Sequence, residues 1–149
     1  MSYATDIVID MSNLRQNVSG RRAALSYIMP AVLYAAGIFG LSSIPDLHSP
    51  ELPVIPFDKA AHILEYAGLA LLVNRSASYY LRRSSSRSQY LLSWFVVAAI
   101  GALDELYQSA VPGRTPDIVD LLADICGGGL AILLIWWRHR RKVVPQPLK

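Results

Sequence analysis

Asp58, His62 and Glu65 follow one another at i, i+4 and i+7, the spacing that lines three side chains along one stripe of a helix. Asp117, Asp120 and Asp124 repeat the pattern at i, i+3 and i+7. Asp104 and Gln108 stack at i, i+4, with Glu105 about 100° away around the same helix. Carboxyls and an imidazole grouped in this way suit general acid–base chemistry, or the capture of a cation. Asp58, Glu65, Asp104, Glu105, Asp117, Asp120 and Asp124 outnumber the nearby cations Lys59 and Arg114, even with His62 added. In a low-dielectric site that excess cannot stay fully ionised. Either some carboxyls keep their protons, or a divalent metal or cationic ligand neutralises them. A histidine with carboxylates would suit Zn²⁺ or Mn²⁺, and oxygens alone Mg²⁺ or Ca²⁺. No motif such as HExxH is present, so no metal or other cofactor is assigned.

Each group also has a structural reading. Asp58 and Lys59 suit a helix end at an interface, Asp117 after Pro116 suits a helix cap, and Glu105 suits a structural pair with Arg114. His62, Asp104, Gln108, Asp120 and Asp124 are also able to clamp helices together through hydrogen bonds. They are harder to dismiss because they stand in apolar surroundings, where polar groups are expensive.

Those surroundings are unusual. Of 149 residues, 53% are hydrophobic and only 17% charged, against about a quarter charged in a soluble domain. Ala23 to Leu41 is an unbroken run of nineteen uncharged residues, close to the twenty or so that cross a bilayer core. Pro30 interrupts it, which a membrane helix tolerates when a neighbour satisfies the freed carbonyl. The polar stretch ahead of this run is long for a cleaved signal peptide, so an uncleaved span is expected. Pro45, Pro50, Pro53 and Pro56 make the following segment a loop. A second span is expected from about Asp58 to Tyr80, a third from Tyr90 to about Val111, and a fourth from about Asp117 to Trp137. Pro112-Gly113-Arg114-Thr115-Pro116 forms the turn between the last two. Cys126, the single cysteine, excludes an intrachain disulfide. Gly127, Gly128 and Gly129 suit close helix packing, and with no strand before them they are not a phosphate loop.

With four spans, only Lys59 and Arg114 of the 14 lysines and arginines fall on one side. The positive-inside rule then puts both termini in the cytoplasm, and Trp94, Trp136, Trp137, Tyr79 and Tyr80 near that face. The formal charge of +3 is thus a topology signal, and no nucleic-acid partner is implied. The expected fold class is all-α: a polytopic bundle of four transmembrane helices with an outward-facing polar pocket between helices two, three and four. Residues 1–22 form a cytoplasmic arm, 23–137 the membrane domain and 138–149 a basic cytoplasmic tail. The first helix, with no polar stripe, is expected to be scaffold.

The stretch Asp58-Lys59-Ala60-Ala61-His62-Ile63-Leu64-Glu65-Tyr66 resembles the D-K-x-x-H-x-x-x-Y signature of VanZ-like membrane proteins. Asp104-Glu105-Leu106-Tyr107-Gln108, with Pro112, Arg114 and Asp117, is similar to that family's D-E-x-x-Q…P-x-R segment. Asp120 to Gly127 resembles its D-x-x-x-[ND]-x-x-G element, with Asp124 where many members carry Asn. Three motifs in order, across about residues 41–135, imply a multi-pass protein of the bacterial cytoplasmic membrane linked to the cell envelope. The family's namesake is associated with teicoplanin resistance. Under that resemblance His62, Asp104, Gln108, Asp120 and Asp124 are candidate catalytic groups. Asp58, Lys59, Glu65, Tyr66, Glu105 and Arg114 are candidate substrate-binding groups. The expected partners are the lipid bilayer and a lipid-linked envelope precursor, another amphiphile or a glycopeptide. Lys59 and Arg114 would hold an anionic head, and Asp104 or His62 would act as acid or base. Whether a reaction is catalysed is left open. The alternatives are a proton-coupled transporter or flippase, and a non-catalytic scaffold.

Overall fold

A computed structural model of the chain describes residues 20–45 and 57–142. Most of the expected arm, most of the proline-rich loop and the last residues of the tail lie outside the described residues. Four helices follow in order: α1 (Gly20–Ser42), α2 (Phe57–Tyr80), α3 (Ser86–Gln108) and α4 (Ile118–Lys142). No strand occurs among the described residues.

Local chemistry explains the boundaries. Pro30 has no N–H to donate and its ring crowds the preceding turn, so α1 widens into a π-helical turn over Ala24–Ile28. Within that turn the Met29 N–H reaches the Ala24 carbonyl, and Ser76 of α2 donates to the Tyr27 carbonyl. The neighbour does satisfy the irregular backbone, as a bundle in lipid requires. The Ser85 side chain accepts from the Ser88 N–H at 3.2 Å and starts α3. Buried Gln89 closes the turn ahead of α3 by donating to the Leu81 carbonyl at 2.8 Å. Gly113 turns the chain between α3 and α4 at φ 79°, a conformation that side chains disfavour. α4 continues past Trp137 to Lys142, beyond the expected end. Arg and Lys are good helix formers and sit well at a helix C-terminus.

Burial is inverted relative to a water-soluble bundle. Leu64, Leu106 and Ile118 are 72%, 68% and 67% exposed, whereas Ser42, Asn74, Gln89, Ser93, Asp104, Glu105, Gln108, Asp120 and Asp124 are buried. A surface of leucine around an interior of carboxyls is stable only where the surroundings are themselves apolar.

Three of the helices, α1, α3 and α4, are long and apolar enough to cross a membrane. The fourth, α2, at 24 residues, has the length but not the composition. Asp58, Lys59, His62, Glu65, Asn74 and Arg75 lower its hydropathy. α2, like α3, touches all the other helices, and it packs most extensively on α4. Ala61, Leu64 and Leu71 present apolar side chains outward, and the same exposed stripe continues through Arg75, which lies over the Tyr27 ring, and Ser78.

Glycine sets the distance between α2 and α4. A Cβ on Gly127 would lie 2.8 Å from the Ile63 Cα and run into the Ile63 carbonyl, so the two backbones touch there. A Cβ on Gly128 would meet the Val97 side chain of α3 at 2.8 Å. Trp94 fills the space beside Gly129 and donates its indole N–H to the Ile125 carbonyl at 3.2 Å. It is therefore half-buried between α3 and α4. Tyr27 and Tyr79 stack with centroids 4.0 Å apart at the end of the bundle where Arg140 and Arg141 cover Trp136 and Trp137.

Gly127→Ala should cost about 1–3 kcal/mol through overpacking against the Ile63 backbone. Gly37→Ala, where a Cβ meets nothing within 4 Å, should stabilise α1 by up to about 1 kcal/mol. Thermal unfolding of the two variants in the same detergent checks the pair.

Candidate functional site

The polar stripes of α2 and α4 meet in a staggered register. His62 lies between the two deeper aspartates of α4. Its Nδ1 is 2.8 Å from Asp124 Oδ1 and its Nε2 is 3.9 Å from Asp120 Oδ2. One turn nearer the helix ends, the Lys59 ammonium donates to Asp58 at 3.1 Å, to Asp117 at 2.9 Å and also to Asp120. Lys59 is thus surrounded by carboxylates, and its charge is compensated within the cluster.

Asp117 does two things. Its Oδ1 accepts from the Val119 N–H at 2.8 Å, capping the start of α4, and its Oδ2 binds Lys59. The Val119 N–H first, and Lys59 second, hold this exposed carboxyl below its ordinary range.

Asp104 and Glu105 are both buried, although they point about 100° apart. α3 has α1 on one flank and α4 on another, so each acid meets a different neighbour. Asp104 Oδ2 accepts from Ser42 Oγ at 2.8 Å and from Gln108 Nε2 at 3.1 Å. Glu105 Oε2 accepts the backbone N–H of Asp117 at 2.8 Å. The structural pair expected between Glu105 and Arg114 is not what forms. Arg114 sits in the turn after α3 and its Nε donates to the Ile44 carbonyl at 3.4 Å. Glu65 is half-buried, and the fully buried Tyr66 lies against Gly101, where a Cβ would be 3.3 Å from its ring.

Ser42 was not anticipated. The first helix, expected to be scaffold without a polar stripe, supplies a hydroxyl to a fully buried acid. The serine at the close of the uncharged run was the signal, but nothing in its spacing linked it to Asp104. Asn74, Gln89 and Ser93, buried toward the basic end, were also unanticipated because single amides and hydroxyls form no stripe. Asn74 and Ser93 are 3.4 Å apart. Leu69, Ala70 and Val97, all fully buried, form an apolar core together with Ala131 and Ile38.

Four buried atoms accept or donate no hydrogen bond among the described residues: Asp104 Oδ1, Glu105 Oε1, Asp124 Oδ2 and Tyr66 Oη. All belong to this cluster. Two groups of side chains bring ligand atoms within 4.8 Å of one another, Asp58 with His62 and Asp120, and His62 with Glu105 and Asp124. Either set has the donor types of a divalent-metal site.

Ser42→Ala removes one of the two bonds to Asp104 Oδ2 and should cost about 1–3 kcal/mol, the desolvation penalty of a buried acceptor left short of donors. Ser43→Ala, at an exposed position, should stay within about 0.5 kcal/mol. Detergent-phase unfolding midpoints of the two variants separate these outcomes.

A protein of Schizosaccharomyces pombe described as "Uncharacterized protein C11E3.10" is 32% identical over 96 residues, covering 64% of this chain. The aligned part spans only 56% of that relative's length. No solved structure matches. The VanZ/LLP1 family matches residues 6–139, a region reaching beyond the three motifs into the N-terminal stretch and all of α1. With nearly the whole length matched, the chain belongs to the VanZ/LLP1 family.

Proposed function

We propose that this protein spans a membrane four times with both termini on the cytoplasmic side, and that its polar cluster receives the head group of an amphiphile from the opposite leaflet and acts on it. The single observation that carries this reading is the set of buried, unpartnered carboxyl oxygens of Asp104, Glu105 and Asp124. A purely structural network would be expected to satisfy its own members, since a half-satisfied buried network is less stable than an apolar core. Groups left short of partners are better suited to a molecule that arrives from outside.

Roles follow from the surroundings of each residue. His62, between Asp120 and Asp124, is the proton-transferring group, and Asp104, steadied by Ser42 and Gln108, is the second acid or base. Asp58, Glu65, Tyr66 and Glu105 line the approach. Arg114, tethered at the turn after α3, takes over from Lys59 the contact with an anionic group. The substrate would be a lipid-linked precursor or another amphiphile, and in a bacterial cytoplasmic membrane the family's link to teicoplanin resistance is the phenotype to test. A relative in a yeast favours a substrate that bacterial and fungal membranes share over one confined to the bacterial envelope.

Transport is the weaker reading. The cluster stops at Tyr66, and the fully buried Leu69, Ala70 and Val97 stand between it and the neutral Asn74 and Ser93. A proton relay would need ionisable groups through that layer.

Topology is checked by cysteine labelling in a Cys126→Ala background. Thr115→Cys should react with an impermeant thiol reagent in intact cells, and Ser84→Cys only after the membrane is opened. Reversed labelling, with Ser84→Cys reacting in intact cells and Thr115→Cys only after opening, would remove the crossing by α2, and labelling of both from one side would remove the crossing by α3.

Function is checked in a teicoplanin-sensitive bacterium that expresses the wild-type chain, Asp104→Asn or His62→Ala at matched membrane levels. The wild type should raise the inhibitory concentration and both variants should lose most of that rise. A folded variant that keeps full resistance would reduce the cluster to a scaffold. No effect from any chain would detach this protein from glycopeptides.

A further inference from the structure

We propose that His62, Glu105 and Asp124 bind one divalent transition-metal ion in the core of the bundle. Their ligand atoms lie within 4.8 Å of one another, from three positions on three helices. Metal–ligand bonds of about 2.1 Å hold donor atoms no more than about 4.2 Å apart, so rotamer adjustments of under an ångström would close the set.

Two independent features point to this trio. The first is its unused valence. Asp124 is fully buried and Glu105 nearly so, yet Asp124 Oδ2 and Glu105 Oε1 accept no hydrogen bond among the described residues. The other oxygen of each is held, Glu105 Oε2 by the Asp117 N–H and Asp124 Oδ1 by His62. Each acid therefore presents one fixed and one unused oxygen. A carboxylate in an apolar interior needs a counter-charge or a proton, and Lys59 is spent on Asp58, Asp117 and Asp120.

The second feature is the support around the histidine. Nδ1 faces Asp124 and Nε2 faces Asp120, so metal binding at Nδ1 would exchange its hydrogen bond to Asp124 for a shared ion and turn the Nε2 proton toward Asp120, 3.9 Å away before any adjustment. A carboxylate behind the far nitrogen is the common support of a metal-bound imidazole. Gly101 adds room, since a Cβ there would stand 3.0 Å from Asp124 Oδ2.

The outer trio of Asp58, His62 and Asp120 fits less well. The Lys59 ammonium already bridges both of its aspartates, so a cation stands there as part of the fold. One nitrogen with carboxylate oxygens favours Zn²⁺ or Mn²⁺ over Mg²⁺ or Ca²⁺, which prefer oxygen alone. This inference concerns ion binding and holds whether or not an amphiphile is acted on.

The full-length chain, purified in detergent and stripped with chelator, should be titrated with ZnCl₂ and MnCl₂ by calorimetry, and its metal content measured after dialysis. One ion per chain is expected, bound more tightly than Mg²⁺. Asp124→Asn and Glu105→Gln should each weaken binding by about 100-fold or more, at or beyond the 10–100-fold that supporting residues alone command. Asp58→Asn should leave it unchanged. Size-exclusion profile and circular dichroism establish that each variant is folded, and Glu105→Gln decides if Asp124→Asn is not. Absence of saturable binding to folded wild type overturns the proposal and leaves protons or a cationic ligand as the neutralising species. Equal loss from Asp58→Asn also overturns it, by moving the ion to the outer trio. If the ion is absent while the cluster variants still lose the cellular phenotype, the metal falls and the amphiphile reading stands.

Discussion

A carboxylate taken out of water needs compensation from a cation, a set of donors or a proton, and this chain takes several into a bundle whose outer surface is leucine. That constraint explains choices that otherwise look unrelated. Ser42 closes α1 at the depth where Asp104 needs a donor. Gln108 sits one turn after Asp104 and turns its amide back to the same oxygen. The Asp117 N–H, left without an intrahelical partner at the start of α4, finds Glu105. Lys59 collects three aspartates. The fold distributes its few donors over many acceptors and still leaves buried oxygens unpaired.

Such economy depends on close approach. Gly127 brings α4 against the backbone of Ile63, one residue from His62, so imidazole and Asp124 meet at 2.8 Å. Any side chain at 127 would separate the helices and leave His62 and Asp124 without each other. The same contact lets the least apolar helix occupy the centre: α2 turns its charged stripe to α4 and α3 and presents Leu64 and Leu71 outward. Its modest hydropathy is therefore a consequence of its position, since a helix enclosed by three others need not be apolar all round.

Much of this was legible in the sequence. The stripes Asp58-His62-Glu65 and Asp117-Asp120-Asp124 are helical periodicity, a local property, and the helices that carry them lie within a few residues of expectation. Charge excess was also legible, because it needs only counting. Pairing was not. That His62 meets Asp124 and Asp120, and that Lys59 draws in Asp120, depends on the longitudinal slip of α2 against α4. That slip is set by glycine contacts which no spacing encodes. Glu105 misled for a related reason: a residue 100° off a polar stripe faces lipid on a two-sided helix but a second neighbour on a three-sided one. Ser42 and the Asn74–Ser93 pair are single polar groups in apolar runs, and their burial is decided by tertiary contacts alone.

The two ends of the bundle divide the chemistry. At one end arginines lie over tryptophan faces, Arg140 at 4.4 Å and Arg141 at 3.6 Å, and tyrosines stack, an arrangement that tolerates an interface with anionic lipid heads. At the other end acids dominate and cations are few. Between them Leu69, Ala70 and Val97 form an apolar stop. A molecule with a path through the protein would need polar groups in that stop, whereas one that only dips its head into the acidic end would not. The asymmetry therefore argues for chemistry or capture at a single membrane face.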